Sequence, residues 1–172
     1  MTSLTRPLVV PIDLRTGSGL LSRLLHSENS LTFAMLRLTL ALVLLPHGLQ
    51  HMFGLFGGYG FTATLGWMTG TLGIPAPLAA AGIVLEVAAP ALLIAGLGSR
   101  LWGAALAVFM ATAASTHVPN GFFMNWFGTL PAGSEGFEYH LLAIVLAIAI
   151  AVNGGGALSL DRILAARTAN AQ

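Results

Sequence analysis

The sequence contains no cysteine and no lysine. Without cysteine the chain forms no disulfide bond, thiolate metal site or cysteine-held iron–sulfur cluster, and it has no thiol redox chemistry. Its positive charge comes from seven scattered arginines, and the net charge is only +1. Nucleic acid is therefore not an expected partner, because its binding relies on a concentrated basic surface. Any redox chemistry has to use a bound ligand.

Charged residues of both signs are scarce, at 8% of the 172 residues. A typical soluble domain contains about 25%. Hydrophobic residues make up 56% of the chain, more than a protein of this length can bury inside one globule. These values exclude most soluble folds and predict the lipid bilayer as the main partner of the surface.

Four apolar runs predict an all-α fold, a bundle of four transmembrane helices, at about 31–53, 77–97, 101–118 and 137–153. The fourth run is the shortest, and it needs flanking residues to cross a bilayer. Residues 1–30 form a polar N-terminal segment, in which leucines near residue 20 fit either a short surface helix or disorder. Residues 154–172 form a C-terminal tail.

The positions of the arginines predict the orientation. Six of the seven lie outside the apolar runs: three precede the first run, Arg100 lies between the second and third, and two follow the fourth. Because positively charged loops stay on the cytoplasmic side, both termini are expected to be cytoplasmic. The other two connections, 54–76 and 119–137, contain no basic residue and are rich in aromatic residues. They are the predicted outer loops.

Two charged residues, Arg37 and Glu86, fall within the apolar runs, and each shares a helical face with small residues. A charge facing lipid is costly, and small residues mark close helix packing, so both side chains are expected to point into the bundle. They lie about 9 Å and about 16 Å from the inner ends of their helices, a difference in depth that an arginine side chain can bridge. The sequence therefore predicts a buried ion pair between Arg37 and Glu86.

A second polar layer is expected at the outer ends of the helices. Its candidate residues for ligand binding and proton handling are His47, His51, His117, Asn120, Glu138 and His140. Such a group could bind a metal, ligate haem, hydrogen-bond a quinone or relay protons, and the residues alone do not choose among these. His47 and His51 stand one helical turn apart and are a possible metal pair.

Pro46 is expected to bend the first helix and to widen the outer half of the bundle into a cavity. Its walls would carry Phe53, Trp67, Met124 and Trp126, which suit a flat apolar ligand. An aromatic belt at the membrane surface would show the same residues.

Several short motifs resemble the DoxX family of small four-helix bacterial membrane proteins, over residues 31 to about 163. They are Leu36-Arg37-Leu38, Pro46-His47-Gly48 with Gly54, Gly82 with Glu86, Gly98-Ser99-Arg100, the string from His117 to Trp126, and Gly136-Phe137-Glu138-Tyr139. The resemblance implies a multi-pass protein of the bacterial inner (plasma) membrane. It marks Arg37, His47, Glu86, His117 and Glu138 as the family's polar positions, whereas His51 stands where relatives often have lysine.

The resemblance also implies a role in membrane redox complexes, since the family takes its name from a subunit of a thiosulfate:quinone oxidoreductase. The favoured hypothesis is a subunit of a respiratory or redox complex that holds a quinone, or a similar flat apolar ligand, between its helices. His47 and His117 would hydrogen-bond the carbonyls, and Glu86 would handle protons. Haem or a metal ion is the alternative cofactor.

The chain has no C-x-x-C-H haem signature and no glycine-rich nucleotide loop. As an oxidoreductase subunit it is therefore expected to be incomplete on its own, with electrons supplied by a soluble or membrane redox partner protein. Two other functions stay open. One is a non-catalytic membrane anchor or assembly scaffold for a partner protein, and the other is a small-molecule or proton transporter, which would require a homo-oligomer.

Overall fold

The computed structural model describes residues 20–131 and 133–169, and all regular structure in these ranges is helical. The α-helices are α1 (Leu20–Leu25), α2 (Leu31–Phe53), α3 (Gly60–Gly70), α4 (Ala76–Ala95), α5 (Ser99–His117), α6 (Glu138–Asn153) and α7 (Leu160–Ala169). Short 3₁₀ turns follow α2 and α5. The predicted all-α bundle is confirmed.

Three helical segments are long and apolar enough to cross a membrane: Leu31–Phe53, Ala76–Ala95 and Ser99–Asn120. The apolar helix α6 is shorter, at 16 residues or about 24 Å. Beyond its end, Gly154, Gly155, Gly156 and Ala157 are buried inside the protein. Irregular backbone of this kind is tolerated at membrane depth only when protein covers it. The chain is a multi-pass membrane protein in contact with the lipid bilayer.

The bundle consists of two closely packed helix pairs, α2 with α4 and α5 with α6. A glycine lies at the centre of each pair. A Cβ atom on Gly48 would overlap the carbonyl oxygen of Glu86, and one on Gly103 would lie 2.8 Å from the carbonyl oxygen of Ala147. Both glycines therefore allow backbone-to-backbone packing, as is common between membrane helices.

Two helices lie in segments that the sequence predicted as loop and tail. Helix α3 occupies part of the first outer loop and packs against α2 and α4. Helix α7 occupies the C-terminal tail and packs against α1. Each is too short to span a membrane, so neither gives the long apolar run by which the other helices were predicted.

The turn between α4 and α5 is held by two buried charges from elsewhere in the chain. Arg37 donates to the carbonyl oxygens of Leu93 and Ile94 in the last turn of α4. The Asp161 carboxylate accepts from the first amides of α5, at Gly98 (2.7 Å) and Ser99 (2.8 Å). Arg37 thus caps the end of one helix and Asp161 the start of the next, where each charge opposes the helix dipole favourably.

The residues between α1 and α2 close the same end of the bundle. The Arg100 guanidinium donates to the His26 carbonyl oxygen at 2.8 Å. Ser27 Oγ accepts from the Gly155 amide at 2.9 Å, and the Ser30 carbonyl accepts from the Ala157 amide at 2.9 Å. We call this the inner end, after its predicted cytoplasmic orientation, which stays a prediction.

Candidate functional site

A cavity of about 390 Å³ lies in the outer half of the bundle, between the two helix pairs and beside α3. Its volume falls in the range of small-molecule sites in proteins, roughly 300–1,000 Å³. The main polar side chains that line it are His47, His51, Glu86, His117, Tyr139 and His140. Four of the six predicted outer-layer residues therefore meet at one cavity, and Glu86 joins them.

The closest contact in the cavity is between His51 and Glu86. His51 Nδ1 lies 2.6 Å from Glu86 Oε2, and Glu86 is buried. The imidazole donates from Nδ1 to the carboxylate, which leaves Nε2 for another partner. Since the His51 side chain is 39% exposed, this pair connects the cavity with its outer edge.

The predicted ion pair between Arg37 and Glu86 is wrong. Arg37 is only 1% exposed, and besides its two carbonyl partners in α4 it donates to the Leu158 carbonyl oxygen at 3.2 Å. Gly48 lies against the Glu86 backbone, which fixes the register of α2 on α4. Arg37 is eleven residues before Gly48, about 16 Å nearer the inner end. There it meets the free carbonyls of a helix end instead of the acid.

A double-mutant cycle tests this pairing. We expect Glu86→Gln and His51→Gln to show a coupling energy of about 1.5–3 kcal/mol in the free energy of unfolding, because a charge-assisted hydrogen bond joins them. The cycle of Glu86→Gln with Arg37→Lys should give less than about 0.5 kcal/mol. Unfolding in mixed detergent micelles provides both values. Strong coupling of Glu86 to Arg37, with no coupling of Glu86 to His51, would support the ion pair that the sequence predicted.

Two further histidines of the cavity, His117 and His140, lie ring against ring at its outer side. The rings of His117 and His140 have centroids 4.6 Å apart, tilted by 36°. His117 Nδ1 donates to the Glu135 carbonyl oxygen at 2.7 Å, so its Nε2 is the acceptor in the neutral ring. His140 is buried, and its Nδ1 has no hydrogen-bond partner among the described residues.

Two further side chains at the cavity carry a buried hydroxyl oxygen for which residues 20–131 and 133–169 offer no hydrogen-bond partner. They are Thr64 of α3 and Tyr139 of α6, the latter with its ring centroid 6.1 Å from that of His47. His47 itself is exposed, at the edge of the cavity. Sequence reasoning missed Thr64 because it treated α3 as loop. The available signal was the helical spacing of Thr64, Trp67 and Met68, which places all three on one face.

Glu138 and Asn120 do not line the cavity. Glu138 Oε2 accepts from the Met124 amide at 3.2 Å and from Trp126 Nε1 at 3.1 Å. Asn120 Nδ2 donates to the carbonyl oxygens of Gly133 (3.1 Å) and Glu135 (3.0 Å). The two residues therefore brace the second outer loop, which covers the cavity with Met124 and Glu135.

The arrangement of the histidines is that of a hydrogen-bonding site. Among the described residues, no group of three or more His, Asp or Glu side chains is placed to hold a metal ion. In the possible metal pair, His51 is engaged with Glu86, and His47 lies beside Tyr139. Donors and acceptors around a partly open, largely apolar space suit a flat ligand with polar edges.

The family model for DoxX matches residues 32–126, more than half of the chain. The matched region runs from α2 through α5 into the second outer loop, and includes Arg37, His47, His51, Glu86 and His117. Comparisons with curated proteins and with solved structures give no match. The match agrees with the motifs that first indicated this family, and the chain belongs to the DoxX family.

Proposed function

We propose that this protein is a membrane subunit of a respiratory or redox complex and that it holds a quinone head group in the cavity between the two helix pairs. The observation that carries the proposal is the convergence of four histidines, Glu86 and Tyr139 on one membrane-embedded cavity. Intramembrane ionisable residues are costly, and a purely structural bundle needs few of them.

The cavity residues fit such a ligand. An unpaired buried polar atom costs about 1–3 kcal/mol, and the cavity is bordered by three residues that carry one: Thr64, Tyr139 and His140. Small rotations of these side chains would bring a hydroxyl or imidazole N–H to a carbonyl oxygen of the ligand. Trp67 and Phe109 supply apolar wall on which a flat ring can pack.

The pair of His51 and Glu86 supplies the proton path. A bound quinone accepts two electrons and two protons. The Glu86 carboxylate holds the proton of His51 Nδ1, so His51 exchanges protons through Nε2. Because the His51 side chain is half-exposed at the outer edge, it can take up a proton from that side and pass it to the ligand oxygen.

Electrons have to come from elsewhere. The sequence has no cysteine and no haem attachment motif, so the chain carries no metal–thiolate or covalently held haem centre of its own. We therefore expect a redox partner protein, soluble or in the membrane, that delivers electrons to the bound quinone. The bacterial inner membrane is the expected location of this chain, where the partner has to reach it.

The quinone content of the purified protein tests the proposal. After purification in mild detergent, we expect near-stoichiometric quinone on extraction and chromatography of the wild-type chain. His140→Ala should lower the content at least tenfold, because it removes a buried group of the cavity wall. Tyr139→Phe, which removes only the hydroxyl, should weaken retention about fivefold, the equivalent of one hydrogen bond of roughly 1 kcal/mol.

Val145→Ala is the matched control, since Val145 lies on the exposed face of the same helix. It should keep the wild-type quinone content. Equal quinone in wild type and His140→Ala would place the ligand outside this cavity. Absence of quinone from every preparation would overturn the proposal in favour of the membrane anchor or scaffold.

A further inference from the structure

A second cavity, of about 400 Å³, lies between α4 and α5 on the outside of the bundle. We call it the side groove. Besides the residues that it shares with the first cavity, it is lined by Leu78, Ala81, Gly82, Leu85, Ala105 and Val108. Thr112 is the single lining residue with a polar side chain, so the groove suits only an apolar occupant.

The side groove adjoins the first cavity, which we call the polar cavity after its four histidines and Glu86. Met68, Ile74, Phe109 and Thr112 line both. The Phe109 ring packs over Gly82, where a Cβ atom would lie 3.0 Å from Phe109 Cε2. Glycine at position 82 therefore leaves room for this ring at the boundary between the two spaces.

The groove opens on a surface that faces lipid. Leu78 and Val108, one on each side of it, are 66% and 70% exposed. Helices α4 and α5 also pack less extensively on each other than α2 on α4 or α5 on α6. The turn at Gly96–Gly98 joins the two helices at the inner end, and the groove lies between them towards the outer half.

We infer that the side groove holds the isoprenoid tail of the quinone whose head group occupies the polar cavity, and that the quinone enters sideways from the bilayer past Phe109. This inference rests on the proposed function and specifies its ligand as an amphiphile with a polar head and an apolar tail. The continuity of an apolar, lipid-facing groove with a cavity that carries four histidines and Glu86 matches that division. A quinone that enters by this route moves from the bilayer into the cavity without passing through water.

The test compares two probes on quinone-depleted full-length protein in detergent: ubiquinone-0, which has no tail, and ubiquinone-2, which has two isoprene units. Quenching of tryptophan fluorescence reports binding, because Trp67 lines the polar cavity. We expect wild type to bind ubiquinone-2 at least tenfold more tightly than ubiquinone-0. Ala105→Phe fills the groove and should reduce this gain to less than about threefold, with the affinity for ubiquinone-0 unchanged.

Ala104→Phe is the matched control. Ala104 is exposed on the same helix and lines neither cavity, so this variant should keep the full tail gain. Partition of the tailed probe into micelles is common to all the proteins, so only differences between variants count. Ala81→Phe blocks the groove from α4 and should repeat the result of Ala105→Phe. Agreement between the two variants would show that the loss does not come from a folding defect in one of them.

Each other outcome has a distinct meaning. If wild type binds ubiquinone-0 and the tail gain survives in Ala105→Phe and Ala81→Phe, the tail lies elsewhere and the inference is overturned while the proposed function stands. If those two variants change the oligomeric mass but not the tail gain, the groove is an interface with a second copy, which also overturns it. If wild type binds neither probe, the proposed function fails and the inference with it.

Discussion

Replacing Gly48 with alanine is expected to separate α2 from α4 and to lower the free energy of unfolding by about 3 kcal/mol or more. The added Cβ would overlap the Glu86 carbonyl oxygen and lie 2.9 Å from the Val87 amide nitrogen. Both are backbone atoms, so no side chain can rotate away and the helices themselves have to move. Because His51 lies one turn from Gly48, the same movement should break its contact with Glu86 and reduce bound quinone.

Gly66→Ala provides the matched control. Gly66 lies inside α3, and beyond its own helical turns no atom lies within 4 Å of a Cβ at its position, so alanine should leave stability unchanged or raise it by up to about 1 kcal/mol. Unfolding of both variants in mixed detergent micelles, followed by circular dichroism, gives the comparison. Equal stability of Gly48→Ala and Gly66→Ala would show that α2 and α4 do not pack through their backbones.

The sequence correctly predicted which way the two charged residues of the apolar runs point. Arg37 and Glu86 fall on small-residue faces, and both are buried in the structure. A helical face can be derived from one helix alone, since its period is fixed. Pairing requires the register of two helices as well, and that depends on where glycine lets the backbones meet. The error over Arg37 arose at this step.

The polar cavity was predicted in outline because antiparallel helices bring their outer ends together. Its composition needed more than that. The sequence pattern placed Glu86 with Arg37, deeper in the bundle than the histidines. In the structure the contact of its backbone with Gly48 places it level with His51. Thr64 was missed since eleven residues of helix inside a loop give too short a pattern. The buried glycines after α6 gave no periodic signal that they close the inner end.

Arg37→Met is expected to lower the free energy of unfolding by about 3–5 kcal/mol, because it removes one of two opposite charges buried on either side of the turn at Gly96–Gly98. The substitution fills similar space but leaves the carbonyl oxygens of Leu93, Ile94 and Leu158 without this donor. It also removes one of the two cations, Arg37 and Arg100, that interact electrostatically with the fully buried Asp161. Arg37→Lys keeps the charge but cannot serve three acceptors in the fixed geometry of a guanidinium, so we expect a smaller loss.

Arg167→Met, at an exposed position of α7, makes the same chemical change without a buried partner and should alter stability by less than about 0.5 kcal/mol. Unfolding in mixed micelles measures all three variants, and quinone content measured beside it separates the two roles open to Arg37. If Arg37 only stabilises the α4–α5 turn, the variants should lose quinone in proportion to the fraction of protein that is unfolded. Normal stability of Arg37→Met combined with loss of quinone would instead place Arg37 in the site, and would mean that the α4–α5 turn is held by Asp161 alone.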